Sequence, residues 1–283
     1  MRPEPQTLTK TTTETMKTEA YAKVNLTLEV FGVRPDGYHA LRSLVVPISL
    51  SDTIEVEPSQ TLASDTGYAD DLILKAARAL DPFRGAAFRV VKRIPAGGGL
   101  GGGSADAAAA LVALNEMWNL GRSREELCEI GAQVGSDVPA LVFGGPVVMQ
   151  GRGEVVERAS CPRLDLVLVN PGIHTSTREV YARCTARDIA ASSTTGACLD
   201  ALASGDLGRI AASFANDLAL PACRLHPEIA DAMSSLRTAG AIGVAMSGSG
   251  SSVFGLVESA ARAEEVAGSL RKKGLSAWAV HTL

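Results

Sequence analysis

Six of the seven residues from Gly97 to Gly103 are glycine, and the run Pro95-Ala96-Gly97-Gly98-Gly99-Leu100-Gly101-Gly102-Gly103-Ser104 passes without a break into the alanine-rich stretch Ala105 to Leu114. Glycine is entropically costly inside a helix or strand, so the cluster marks a loop that opens a helix. Such a junction is a cradle for phosphate. The glycines let backbone approach an anion closely, and the first helical turn offers unpaired N–H groups and the positive end of the helix dipole. Ser104 is the expected N-cap, and Ala105 to Leu114 contains no helix breaker.

Three glycine motifs have to be separated. A Walker A loop ends in Gly-Lys-Ser/Thr, and Gly103-Ser104 has no lysine between its residues. Gly97, Gly99 and Gly102 do match the dinucleotide fingerprint, after a strand expected at Phe88 to Val91. The helix is followed by a second helical segment, Arg124 to Val134, where a dinucleotide unit needs its next strand. A flexible linker is the third reading, although linkers do not usually open a capped helix.

At 283 residues, with 46% hydrophobic and 20% charged residues, the composition is that of a globular protein with room for one large or two modest domains. A formal charge of −4 and a pI near 5.7 argue against a nucleic-acid or anionic-membrane binder, so phosphate recognition has to be local. No apolar run reaches the ~18 residues that span a bilayer. Residues 1–17 lack the apolar centre of a signal peptide and are expected to be a flexible leader. Cysteines at 128, 161, 184, 198 and 223 show no C-x-x-C pairing, which suits reduced thiols in cytosol, and small buried residues are a better reading than a catalytic thiol. The histidines at 39, 174, 226 and 281 form no metal motif.

Alternation over Thr18 to Val30 places Ala20, Ala22, Val24, Leu26, Leu28 and Val30 on one strand face, and Tyr21, Lys23, Asn25 and Thr27 on the other. Further strands are expected at Leu44 to Leu50 and Thr53 to Val56, broken at Ser51-Asp52, and at Ala86 to Arg93. A helix is expected over Asp71 to Leu80. Ser123-Arg124-Glu125-Glu126 is a capping box that opens a helix ending near Gly135. Short strands are expected at 147–149 and 154–156, and an apolar strand from Leu164 to Asn170 begins a second half of the chain. Helices over Arg178 to Ala186, Leu199 to Ser204, Gly208 to Phe214 and Glu228 to Thr238 lead to Gly243 to Met246, the turn Ser247 to Ser252, the strand Val253 to Val257, the helix Ala261 to Lys272 and the strand Ser276 to His281.

Phosphoryl transfer needs positioned phosphates, a neutralising cation and a group that orients or deprotonates the acceptor. Asp137, in Gly135-Ser136-Asp137-Val138-Pro139, has a carboxylate suited to accept an alcohol proton, or to cap a helix. Lys23 sits mid-strand beside Asn25, where a solvent-facing lysine is the alternative. The Gly/Ser-rich turn Ser247 to Ser252 either binds a second anion or links two strands.

This ordered set resembles the galactokinase, homoserine kinase, mevalonate kinase and phosphomevalonate kinase superfamily: Pro95 to Ala105 is similar to its Pro…Gly-Leu-Gly-Ser-Ser-Ala loop, and Met246 to Ser251 to its late glycine motif. Within it the chain looks most like the 4-diphosphocytidyl-2-C-methyl-D-erythritol kinases. Ala22-Lys23-Val24-Asn25-Leu26, Asp36-Gly37-Tyr38-His39-Ala40-Leu41, Gly97 to Ser104, Gly135 to Pro139 and Asn170-Pro171-Gly172 carry that resemblance, from about Lys17 to the C-terminus.

The resemblance implies an α+β fold of two domains: a ribosomal protein S5 domain 2-like N-terminal domain over residues 18–157 and a ferredoxin-like C-terminal domain over 158–283, with the active-site cleft between them. It implies ATP and Mg²⁺ as cofactors, with ligands of the metal unknown. The phosphates fall to Pro95, Gly97, Gly98, Gly99, Leu100, Gly101, Gly102, Gly103 and Ser104. It makes Asp137 the catalytic base with Lys23 as electrostatic partner, and a cytidyl diphosphate alcohol the substrate. Tyr38 and Tyr181 would sandwich the cytosine, His39 would bond its edge, and Asn25, Thr177, Gly248 and Ser249 would complete the substrate site. Asp71 departs from the pattern. The family commonly has asparagine there, and an aspartate near the nucleoside accepts hydrogen bonds but does not donate them. The implied protein is cytoplasmic, a monomer or weak homodimer, with no nucleic-acid or membrane partner. Another kinase of the superfamily, for homoserine or mevalonate, and a catalytically silent nucleotide-binding module are the alternatives.

Overall fold

The fold is taken from a computed structural model, which describes residues 15–35, 37, 39–189 and 193–283. In chain order the first half contains β1 (Met16–Val33), β2 (His39–Pro58), β3 (Ala63–Ser64), α1 (Leu72–Leu80), β4 (Ala86–Val91), α2 (Gly102–Met117), α3 (Arg124–Val134), α4 (Val138–Phe143), β5 (Val147–Gly151) and β6 (Val155–Arg158). The second half contains β7 (Asp165–Asn170), α5 (Thr177–Arg183), α6 (Thr194–Ser204), α7 (Leu207–Ser213), β8 (Ala215–Asn216), α8 (Ala219–Leu225), α9 (Pro227–Thr238), β9 (Gly243–Met246), β10 (Val253–Val257), α10 (Ala260–Lys272) and β11 (Ser276–His281).

The first sheet has seven strands, ordered β3-β4-β2-β1-β8, with β5 on the other end of β2 and β6 beyond it. One long strand, β2, makes this possible: it pairs β1 along its length, β5 through Leu41 to Val45 and β4 through Thr53 to Pro58. The break expected at Ser51-Asp52 does not occur. Asp52 pairs with Ala20 inside the ladder, and its buried carboxylate accepts from the Ile94 N–H at 2.8 Å, so the polar residue anchors the segment after β4 instead of turning the chain. Met16 and Lys17, assigned to the leader from sequence, are in β1 and pair with Val56 and Glu55. Residues 1–14 of the leader lie outside the described residues.

The second sheet, β11-β7-β10-β9, is antiparallel throughout, and with its βαββαβ connectivity this is the ferredoxin-like order. Both its faces are buried, which is why Leu166 to Val169 reads as an unbroken apolar run. Val167 and Val169 pack with Leu236, Val266 and Leu270 of α9 and α10. Leu166 and Leu168 belong instead to the core that contains Leu26, Leu44 and Ile48 of β1 and β2. The two halves thus share a core. The second half also adds β8 to the edge of β1, and the Glu29 carboxylate of β1 accepts from the N–H groups of Thr194 (2.8 Å) and Thr195 (3.3 Å), capping α6 where Ser193 makes no side-chain bond.

The capping box at Ser123 forms as expected: its hydroxyl accepts from the Glu126 N–H, and the Glu126 carboxylate from the Ser123 N–H. Ser123→Ala should therefore cost about 1 kcal/mol of stability without affecting any site residue. Urea unfolding is the check, and an unchanged midpoint would show that the box contributes nothing. β3, β8 and α8 had no counterpart in the sequence reading, because two-residue strands and a seven-residue helix show no period.

Candidate active site

Lys23 and Asn25 leave β1 on the same side, and both are buried, 3% and 1% exposed. The lysine faces three oxygens, matching the three N–H bonds of an ammonium. It donates to Asn25 Oδ1 at 2.7 Å and to the Gly99 carbonyl at 3.0 Å, and lies 3.5 Å from Asp137 Oδ2. Asn25 is held by its amide, which donates to Ser43 Oγ at 2.7 Å, while Ser43 donates to the Thr27 carbonyl at 2.6 Å. The solvent-facing alternative for Lys23 is excluded.

Asp137 immediately precedes α4 but makes no capping bond. Pro139, in the first turn, has no N–H to offer. The carboxylate, about one-third exposed, meets Lys23 instead of capping the helix.

The glycine cluster is tied to both halves. The Lys23 N–H donates to the Leu100 carbonyl and the Ser252 N–H to the Gly98 carbonyl, each at 3.0 Å. Ser247 Oγ donates to the Gly99 carbonyl at 2.8 Å. Gly99 has φ +74°, and a Cβ on it would collide with the Ser247 carbonyl, so only glycine lets the two loops close on each other. The turn Ser247 to Ser252 is accordingly a buttress for the first loop. Asn216 locks it from β8, donating to the carbonyls of Met246 and Gly248 at 2.8 Å, and Asn170 donates to Ser252 Oγ at 2.9 Å.

Helix α2 begins earlier than expected. Its N-cap is Gly101, at φ +70°, with no side-chain cap, and Ser104 lies within the first turn. This corrects the assignment of Ser104 as N-cap. The physical consequence strengthens the cradle: no side chain of the helix competes for its first N–H groups, which stay open to an anion. Above them is a cavity of about 520 Å³, lined by Pro95, Gly97 to Ser104, the start of α1, Lys92, Asp106 and His174. Asp71 lines the cavity too, yet both its oxygens are in use. Oδ1 accepts from the N–H groups of Ile73 and Leu74, capping α1, and Oδ2 from Thr66 Oγ1 at 2.6 Å.

Near Asp137, the His39 and Tyr181 rings lie 4.9 Å apart at 31°. Burial first, then the charge of Asp137, pushes the Tyr181 phenol well above its usual range, so it stays neutral. Thr177 and Ser249 share a hydrogen bond at 2.8 Å, placing α5 against the second loop beside Gly248. Tyr38 lies outside the described residues. Burial raises all five thiols, Cys161 to about 12, which removes them as nucleophiles near neutral pH. Among the described residues no group of three His, Cys, Asp or Glu side chains could hold a metal.

Ser43, Lys92 and Asn216 lie in no motif, and the contacts that Asp52, Asp106 and Ser252 make were not expected from the motifs that contain them; only the packing of distant segments brings these residues together.

Comparison with known proteins agrees with this geometry. Residues 71–145 match the GHMP kinases N terminal domain and residues 198–275 the GHMP kinases C terminal domain. The chain is 43% identical over 266 residues to the 4-diphosphocytidyl-2-C-methyl-D-erythritol kinase of Pelotomaculum thermopropionicum, covering 89% of this chain and 93% of that protein. A crystal structure of 4-(cytidine 5'-diphospho)-2C-methyl-D-erythritol kinase superposes with a TM-score of 0.84 at 36% identity, over 94% of this chain and 99% of the other. Homoserine kinase from Cytophaga hutchinsonii, 19% identical, superposes with a TM-score of 0.75 over 100% and 97% of the two chains and shares the fold. With its two glycine loops closed around Lys23 and Asp137, and with relatives of this identity along most of its length, the chain belongs to the 4-diphosphocytidyl-2-C-methyl-D-erythritol kinase family of the GHMP kinases.

Proposed function

We infer that this protein transfers the γ-phosphoryl group of ATP to the 2-hydroxyl of 4-diphosphocytidyl-2-C-methyl-D-erythritol, in the non-mevalonate route to isoprenoid precursors. The observation that carries the reading is the pairing of buried Lys23 with the partly exposed Asp137, beside an uncapped helix N-terminus and near the His39–Tyr181 ring pair. The N–H groups of Gly97 to Ser104 hold the ATP phosphates. A Mg²⁺ ion bound with the nucleotide would supply charge neutralisation for those phosphates. The absence of a carboxylate cage among the described residues suits an ion that keeps its waters and its nucleotide ligands.

Asp137 orients the acceptor hydroxyl and takes its proton late, since a loose transition state leaves little negative charge on the attacking oxygen early. Lys23, itself fixed by Asn25 and Gly99, holds that carboxylate in place and offers positive charge to the transferring group. His39 and Tyr181, with Tyr38, grip the cytosine, and Thr177, Gly248 and Ser249 line the path between base and hydroxyl.

Tyr181→Ala should weaken the cytidyl substrate by roughly 10- to 100-fold and leave ATP affinity nearly intact, the value of one stacking partner. Replacing the 4-amino group of cytosine by a carbonyl reverses a hydrogen-bond polarity, so the uridyl analogue should be poor as well. ADP release is to be measured with the cytidyl and uridyl compounds, homoserine and mevalonate at saturating ATP. Equal specificity constants for the two nucleotides would mean that the base is not read, and preference for homoserine or mevalonate would move the chain to another branch of the superfamily.

A further inference from the structure

Beneath the nucleotide cavity lies a buried ion cluster that no step above uses. Lys92, just past the end of β4, donates to Asp52 of β2 and to Asp106 of α2, each at 2.5 Å. Asp52 is completely buried and fully engaged: its other oxygen accepts from the N–H groups of Arg93 and Ile94. Asp106 is not. It is 3% exposed, and its Oδ1 has no hydrogen-bond partner. The lysine, one-quarter exposed, and Asp106 both line the cavity, and Lys92 Nζ lies 3.7 Å from where a Cβ would stand on Gly102, the first residue of α2.

We propose that Asp106 is a positioning residue for ATP: with Asp52 it holds the Lys92 ammonium against the first turn of α2, and it takes up a proton when nucleotide phosphates occupy the cradle. This rests on the reading of the cavity as the ATP site. With both carboxylates ionised the cluster is formally −1, at the wall of a cavity for a polyanion. A bound polyphosphate therefore favours the neutral acid. The proton comes from the buffer and settles on Oδ1, the oxygen that nothing else satisfies, and the COO⁻ group becomes COOH. Lys92 then balances Asp52 alone, and the cluster no longer repels the phosphates. Burial already pushes Asp106 up to about 7, against the pull of Lys92 and with a smaller push from Asp52. The charged or titratable groups that also line the cavity are Tyr68, Asp70, Asp71 and His174, with Lys75 of α1 paired to Asp70; nearby, Arg93 bonds Thr53 and Asp137 stands beside Lys23.

The experiment is isothermal titration of wild type and Asp106→Asn with a non-hydrolysable ATP analogue and excess Mg²⁺, in pairs of buffers of different ionisation enthalpy. The asparagine mimics the protonated acid and keeps its shape, while His174 and the nucleotide phosphates contribute equally to both proteins. If bound phosphate makes the Asp106 proton about ten times harder to remove, wild-type affinity should fall about tenfold more than that of Asp106→Asn between about pH 6 and 9, with about half a proton more taken up near pH 7.5. Equal proton uptake and parallel pH profiles would overturn the inference. Should the variant fail to fold, wild type decides alone: uptake no greater than the analogue's own phosphates supply in a parallel titration of free nucleotide would overturn it. Absence of any binding of the analogue would overturn the nucleotide reading, and this inference with it.

Discussion

Asp137→Asn should fold like the parent and turn over at least about 100-fold more slowly, because it removes the proton acceptor and, with it, the negative charge that faces Lys23. Asp137 makes no capping bond, so exchange to the amide costs α4 no hydrogen bond. Lys23 keeps Asn25 and Gly99 as acceptors, and the amide oxygen of the new side chain faces it with its charge removed. Binding of ATP and of the cytidyl substrate should change by no more than a few-fold, which separates this from a loss of structure. The measurements are kcat by ADP release and both affinities by titration. Turnover within a few-fold of wild type in a folded variant would take Asp137 out of the proton transfer and leave Lys23 as an electrostatic element alone.

Gly103→Val should abolish tight ATP binding while leaving the melting temperature unchanged or slightly raised. Gly103 is helical, without the positive φ of its neighbours, and a Cβ there meets only the flexible Leu72 Cδ1, at 3.4 Å. The side chain therefore adds helix propensity and projects over the first turn, where the phosphates should lie. Loss of even one charge-assisted hydrogen bond, about 1.5–3 kcal/mol, weakens binding by about 10- to 100-fold. Gly101 is a poorer place for this test: its φ of +70° disfavours any side chain, and a Cβ would press on the Lys23 stem at 3.2 Å, so a substitution disturbs the lysine together with the cradle. Titration with an ATP analogue beside a melting curve decides the matter. Unchanged affinity in Gly103→Val would mean that the phosphates bind elsewhere.

Local chemistry was legible in the chain wherever it repeats or caps. The alternation from Ala20 to Val30 gave β1, Ser123 and Glu126 gave the start of α3, and the glycine cluster marked the loop that opens α2 within a few residues. Where one residue served two ends, the local rule misled. Asp52 has the composition of a turn but sits inside β2, because its carboxylate satisfies N–H groups of a segment some forty residues away. Ser104 has the chemistry of an N-cap, yet the left-handed Gly101 starts the helix first. Lys23 stands on the polar face of an amphipathic strand, and it is covered there by the two glycine loops and Asp137 rather than by water.

The amino-acid sequence by itself therefore determined the order of most elements, since these depend on periodicity, capping and turn chemistry within reach of a few positions, while the class of fold came from the resemblance of its motifs to a known superfamily. Tertiary structure alone decided that the two glycine loops close on each other, that Lys23 meets Asp137, Asn25 and the Gly99 carbonyl at once, and that Lys92 is shared by Asp52 and Asp106. Apart from the Lys23–Asn25 bond within β1, those contacts join residues at least 14 positions apart, set by how the two sheets pack around a shared core, and no spacing rule along the chain encodes such distances.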